Sequence, residues 1–144
     1  MITLLYAGLC TLLVLFLAGR VIVGRRGKKV GIGDGGDHEL QRRIRVHANA
    51  IEYLPLALLL LGGMELNGYP DAVIHGFGAT LLVSRVLHAW GLSRHSGVSQ
   101  GRFLGTLLTL LLMVAMALMA ILGYFTPMLG GEPEPFENGQ GYLD

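Results

Sequence analysis

Polar residues punctuate the chain into four long apolar runs. Residues 2–23, "ITLLYAGLCTLLVLFLAGRVIV", carry a single charge, Arg20, near their end, where a long side chain can snorkel. Residues 39–66 begin polar and become apolar from Tyr53 to Met64. Residues 72–92 are interrupted by Arg85 and His88, and residues 103–125 have no charge, with Pro127 just beyond as a predicted stop. A membrane span needs about 20 apolar residues, because a helix rises roughly 1.5 Å per residue across about 30 Å of hydrocarbon. All four runs satisfy this, which predicts an all-α integral membrane four-helix bundle. Composition agrees: 52% of the 144 residues are hydrophobic and only 15% are charged. The first run lacks the basic start and small-residue cleavage site of a signal peptide and is too long for its apolar region, so it is read as a span.

Charge sets the expected orientation. Four spans put residues 24–38 and 93–102 on one side, and the 67–71 turn and the C-terminal tail on the other. All 11 Lys and Arg lie at or toward the first side. Six of the 10 acidic residues, Glu65, Asp71, Glu132, Glu134, Glu137 and Asp144, lie at or beyond the opposite ends. Lys and Arg in short loops stay cytoplasmic, so both termini are expected outside. The net charge of +1 hides this asymmetry, and no basic-aromatic surface suggests a nucleic-acid partner.

The connector "GRRGKKVGIGDGGDHEL" lacks a GK[ST] ending and a preceding strand, so it reads as a flexible basic loop touching anionic lipid headgroups rather than a phosphate cradle. Residues 1–125 form the expected membrane domain, and residues 126–144 an acidic, Pro-broken, disordered tail. Cys10 is the only cysteine, which excludes an intramolecular disulfide and leaves a packed or lipid-facing thiol.

Candidate chemistry is concentrated at the start of the second span. Arg45, Asn49 and Glu52 stand at i, i+4 and i+7, one face of a helix over about 10 Å, and Arg42 extends the stripe. Asn49 and Glu52 reach hydrocarbon depth, where an unpaired polar group costs several kcal/mol, so they are expected to line a bundle interior or wet cavity. Arg85 and His88 share a face of the third span, and Arg102 opens the fourth, above a buried Glu52. Pro55 is expected to kink the second helix and widen the cavity. Guanidinium groups suit carboxylates, a deep Glu suits an ammonium and Asn an amide, so a small peptide-like anion fits. Packing ion pairs, Arg45 with Glu52 or Arg85 with Glu52, are the alternative. His47 lies on another face and is read as a packing or capping group; His75 is read as structural, and His38 and His95 as loop residues. Nothing has the spacing of a metal site. Met113, Met116 and Met119 read as packing or lipid surface, and Gly62-Gly63, Gly76-x-Gly78 and Gly101-x-x-x-Gly105 as places of close helix approach.

The pattern R-x-H-x-N-x-x-E-x-x-P, formed by Arg45, His47, Asn49, Glu52 and Pro55, resembles the signature of the MAPEG family, membrane-associated proteins in eicosanoid and glutathione metabolism. "RVLHAWGLSRHSGVSQGR" resembles that family's third-span ending and following loop, and "GDGG" and "MELNG" match its bacterial inner-membrane branch. The resemblance implies four transmembrane helices, a homotrimer, and glutathione held as cosubstrate near the cytoplasmic side between subunits. It implies that Arg45, Asn49, Glu52, Arg85 and His88 bind glutathione and that Arg102 lies near its thiol as the catalytic group. A guanidinium favours the thiolate, the nucleophile, so the implied activity is glutathione transferase or peroxidase chemistry on small apolar electrophiles or lipid hydroperoxides from the bilayer. Three positions depart from the family pattern: Ile22 and Leu92 stand where some members have an arginine and a tyrosine, and Phe103 where some have a serine. Two other classes stay open, a non-catalytic binding or scaffold protein and a small proton-coupled transporter using Glu52.

Overall fold

The structure is a computed structural model and is described for residues 1–94 and 100–129. It contains four helices, α1 (Ile2–Lys28), α2 (His38–Leu66), α3 (Asp71–Arg94) and α4 (Gln100–Leu129), and no strand among the described residues. Each is long and apolar enough to cross a membrane. At 24 to 30 residues they measure about 36–45 Å, longer than the hydrocarbon layer, so their polar ends extend into the headgroup region.

The helix ends show how the chain turns. α1 stops at Lys29, whose left-handed backbone (φ 54°) lets its N–H and that of Val30 return to the Arg26 and Arg25 carbonyls. Arg25, Arg26 and Lys28 in that last turn complement the negative end of the helix dipole. Asp37 caps α2, accepting from the Leu40 N–H at 2.7 Å. It also pairs with Lys28, so one carboxylate ties both ends of the loop, and the Lys28 ammonium beside it holds the Asp37 carboxyl below its ordinary range. α1 has no local side-chain cap; Glu65 at the far end of α2 accepts the Ile2 and Thr3 N–H groups instead.

Two prolines fall inside helices. α2 runs through Pro55, and α4 runs through Pro127 to Leu129, so the stop expected at Pro127 is not seen. At Pro55, inside the span, proline removes one hydrogen bond, but in hydrocarbon the remaining backbone groups have no partner outside the helix, which favours continuation. The expected tail is therefore shortened by the α4 extension, and its remainder, residues 130–144, lies outside the described residues.

α3 is central: it packs on the other three helices, α2 also meets α1 and α4, and among the described residues the α1 and α4 backbones do not approach each other. α2 contributes Val46, Ala50, Leu54, Ala57, Leu61 and Met64 to the core, a stripe at helical spacing. Tyr6, Cys10 and Leu17 of α1, Ile74, Leu81 and Ala89 of α3, and Leu112 and Met116 of α4 complete it, so Cys10 is a packed, buried thiol. The outward faces of α1 and α4, including Leu12, Phe16, Leu111 and Leu118, are exposed hydrocarbon as a lipid-facing surface requires. On the 67–71 side, the Tyr6 ring packs against Gly78, where an added Cβ would come within 2.2 Å of the ring, and its hydroxyl meets His75 Nδ1 at 2.9 Å. His75 thus serves packing, as its position suggests.

Candidate ligand-binding cleft

The cleft depends on how closely α4 approaches α3. A Cβ on Gly105 would come within 2.6 Å of the His88 nitrogen and the Ser84 oxygen, and one on Gly101 within 3.3 Å of Gly91 Cα. The Gly101-x-x-x-Gly105 pair therefore seats α4 on the α3 backbone. Ser84 and Thr109, buried between the helices, join by a 2.9 Å hydrogen bond. This contact sets Arg102 and Thr106 beside His88.

A cleft of about 220 Å³ opens there, lined by Gln41, Arg42, Arg45 and Asn49 of α2, His88 and Leu92 of α3, and Arg102 of α4. Four of the six residues singled out in the sequence, Arg45, Asn49, His88 and Arg102, line it directly. Arg85 lies behind them. It is only 2% exposed, donates from Nη1 to Asn49 Oδ1 at 2.9 Å and from Nη2 to the Gly105 carbonyl at 3.2 Å, and lies 5.4 Å from the Tyr53 ring centre. Its Nε has no partner, and no carboxylate pairs with it among the described residues. The Arg85–Glu52 packing pair is thus not formed. A buried cation without a counter-ion, behind a cleft carrying three further arginines, creates a strongly positive recess suited to an anion.

Glu52 is the correction. It is not among the residues lining the cleft, and it is not buried: its side chain is 51% exposed and reaches Arg45, 63% exposed, only at 4.0 Å. The reason is rotational. Successive residues turn by 100°, so Glu52, Leu56 and Leu59 form a stripe roughly 150° from the Val46 to Leu61 core stripe. It faces away from this chain's own bundle. The Arg45–Glu52 pair does exist, but at that exposure and distance it contributes little in one chain.

His88 is almost fully buried, at 5% exposure. Its Nδ1 lies 2.9 Å from the Thr106 hydroxyl, which in turn donates to the Arg102 carbonyl at 2.9 Å, while Nε2 is buried with no partner. His47 does not line the cleft. Gln41 and Thr106 were missed by sequence reasoning. Gln41 could have been found, because it stands four residues before Arg45 on the same stripe; Thr106, inside an uncharged apolar run, carried no such signal. Arg20 donates to Ser93 at 2.9 Å rather than lining the cleft, and Ile22 is exposed on α1.

Comparison with known proteins gives a consistent picture. Residues 3–122 match the model of the MAPEG family. The inner membrane protein YecN of Escherichia coli, in strains K12 and O6:H1, is 40% identical over 120 residues, covering 79% of this chain and 88% of the relative. With four spanning helices and that match, the chain belongs to the MAPEG family and is a multi-pass inner-membrane protein.

Proposed function

We propose that the cleft binds glutathione and that the protein is a glutathione transferase or peroxidase acting on apolar electrophiles or lipid hydroperoxides. The observation that carries this is Arg85, a buried guanidinium with two hydrogen bonds and no carboxylate, behind a cleft lined by Arg42, Arg45 and Arg102. A ligand with two carboxylates supplies the missing charge. Because Asn49 Oδ1 is occupied by Arg85, its amide nitrogen is left to donate to a ligand carbonyl. Glu52 is suited to the γ-glutamyl ammonium, and Arg102 to the thiolate, which attacks an electrophile arriving from the bilayer.

The working unit is proposed to be a homotrimer, with the basic loops cytoplasmic and both termini periplasmic. Two features support a site shared between copies. The cleft, about 220 Å³, is below the 300 Å³ and upward typical of small-molecule sites, so one chain does not enclose a tripeptide. An ionisable pair at hydrocarbon depth facing lipid is also costly, and a neighbouring copy laid on the Arg45–Glu52 stripe removes that cost.

The test is calorimetric titration of detergent-purified protein with glutathione, beside Arg45→Ala and Glu52→Gln. Saturable binding weakened at least about tenfold, or 1.4 kcal/mol, by each substitution supports the reading. Absence of binding in folded, oligomeric protein removes it. A second reading, binding without turnover, is favoured by Leu92 in the cleft wall and Phe103 next to Arg102, at positions where some members of the family have hydroxyl groups. Thiol-dependent turnover separates the two.

A further inference from the structure

The contacts around His88 favour one placement of the proton on its ring. Thr106 lies one turn after Arg102 on α4, and its hydroxyl donates to the Arg102 carbonyl at 2.9 Å, the back-bond a helical threonine makes. The same oxygen lies 2.9 Å from His88 Nδ1. A hydroxyl has one proton, and both contacts are hydrogen bonds only where that proton goes to the carbonyl and Nδ1–H is the donor in the second. In the neutral ring Nε2 then holds the lone pair. That nitrogen is buried without a partner, on a ring that lines the cleft. An acceptor left open in this way is suited to a donor on the ligand.

We propose that Thr106 is a positioning residue that holds His88 as a proton acceptor, and that the hydrogen it accepts is the thiol hydrogen of the bound tripeptide. This rests on the glutathione reading of the cleft and deepens it. The charged ends of the ligand have charged partners in Arg42, Arg45 and Glu52, which leaves the neutral imidazole for a neutral donor. Among the ligand's neutral donors, the S–H is the one that must lose its proton to react. In the step, the S–H bond breaks, its proton forms a bond to Nε2, and the electron pair stays on sulfur; the products are an imidazolium and a thiolate, with the Arg102 guanidinium offsetting the new negative charge. Arg102 stabilises the anion and His88 removes the proton, two tasks that a single permanently charged guanidinium cannot combine.

The experiment has a ligand-free arm and a ligand arm. Nitrogen NMR of histidine-labelled protein in detergent, with His88→Gln used for assignment, is expected to show the Nδ1–H tautomer at His88 in the wild type and in Thr106→Ser. The isosteric Thr106→Val, which can neither accept nor donate, is expected to lose it. In the ligand arm, the ultraviolet thiolate band of bound glutathione is expected to fall about tenfold in Thr106→Val and recover in Thr106→Ser, with the affinity for S-methylglutathione unchanged in both. An Nε2–H tautomer in the wild type, or a Thr106→Val protein with the wild-type tautomer and thiolate band, overturns the proposal. If the tautomer behaves as expected but the thiolate band ignores Thr106 and His88, the thiol assignment is overturned. If glutathione does not bind at all, the reading of the cleft falls, and the ligand-free arm still reports whether Thr106 sets the ring.

Discussion

Adding one methyl group at Gly105 should open the cleft from a distance. The new Cβ would lie 2.6 Å from both the His88 nitrogen and the Ser84 oxygen and 2.8 Å from His88 Cα. Favourable contacts to carbon begin near 3.5 Å, so α4 must retreat from α3 by roughly 0.9 Å at this point. The opposing atoms are backbone of a continuous helix and cannot swing aside as a side-chain tip would. Overpacking of this kind costs about 1–3 kcal/mol. The same shift would stretch the 3.2 Å bond from Arg85 Nη2 to the Gly105 carbonyl to about 4 Å, beyond hydrogen-bonding range. It would also carry Arg102 and Thr106 away from His88. Since a misplacement near 1 Å can reduce a catalysed rate about a hundredfold, the Gly105→Ala protein should lose most turnover and at least about tenfold in glutathione affinity. Thermal unfolding in detergent, glutathione titration and a turnover assay measure the three effects. Gly8→Ala, where nothing lies within 4 Å of the added carbon, is the control. A Gly105→Ala protein with wild-type stability and affinity would refute the claim that this contact builds the site.

Three further outcomes are expected. Arg85→Met should weaken glutathione binding by about 2 kcal/mol or more, the scale of a lost charge-assisted hydrogen bond, while retaining the fold by circular dichroism; undiminished affinity would remove the buried cation from the binding argument. Asp37 has a carboxyl held below its ordinary 3.8 by Lys28, so its contribution to stability is present above that value and lost as pH falls through the lower folded value. The stability gap between wild type and Asp37→Asn should accordingly close below about pH 4 and stay constant from pH 5 to 7, and a gap that instead widens in acid would contradict the sign. For orientation, Ile32→Cys, at a position 93% exposed, should react with membrane-impermeant thiol reagents only from the cytoplasmic side and Asn67→Cys only from the other, with buried Cys10 silent in both; the reverse pattern would invert the topology.

Much of the fold was legible because a bilayer leaves the backbone so few options. Four runs of the right length had to be helices, and the one-sided placement of arginine and lysine needed only counting. The i, i+4, i+7 spacing put Arg45, Asn49 and Glu52 on one face, and the glycine spacing of α4 marked its contact with α3. What could not be read was where each helix ended against another. Pro127 suggested a stop, yet α4 continues two residues past it to Leu129; a proline removes one hydrogen bond of a helix without having to end it. The cap of α1 comes from Glu65, 63 residues from Ile2, which no local pattern could reveal.

Periodicity by itself determined which residues share a face; only the tertiary structure decided which face the bundle covers. A helix repeats its side chains every 3.6 residues, and that holds before any neighbour is present. Which stripe turns inward depends on how all four helices pack together. That packing buried Val46 to Leu61 and left Glu52 outside. It also paired Arg85 with Asn49 rather than with a carboxylate, and brought Thr106 to His88 through the close approach at Gly105. The chemical inventory of the cleft was written along the chain, but which of those groups meet was set by contacts between helices.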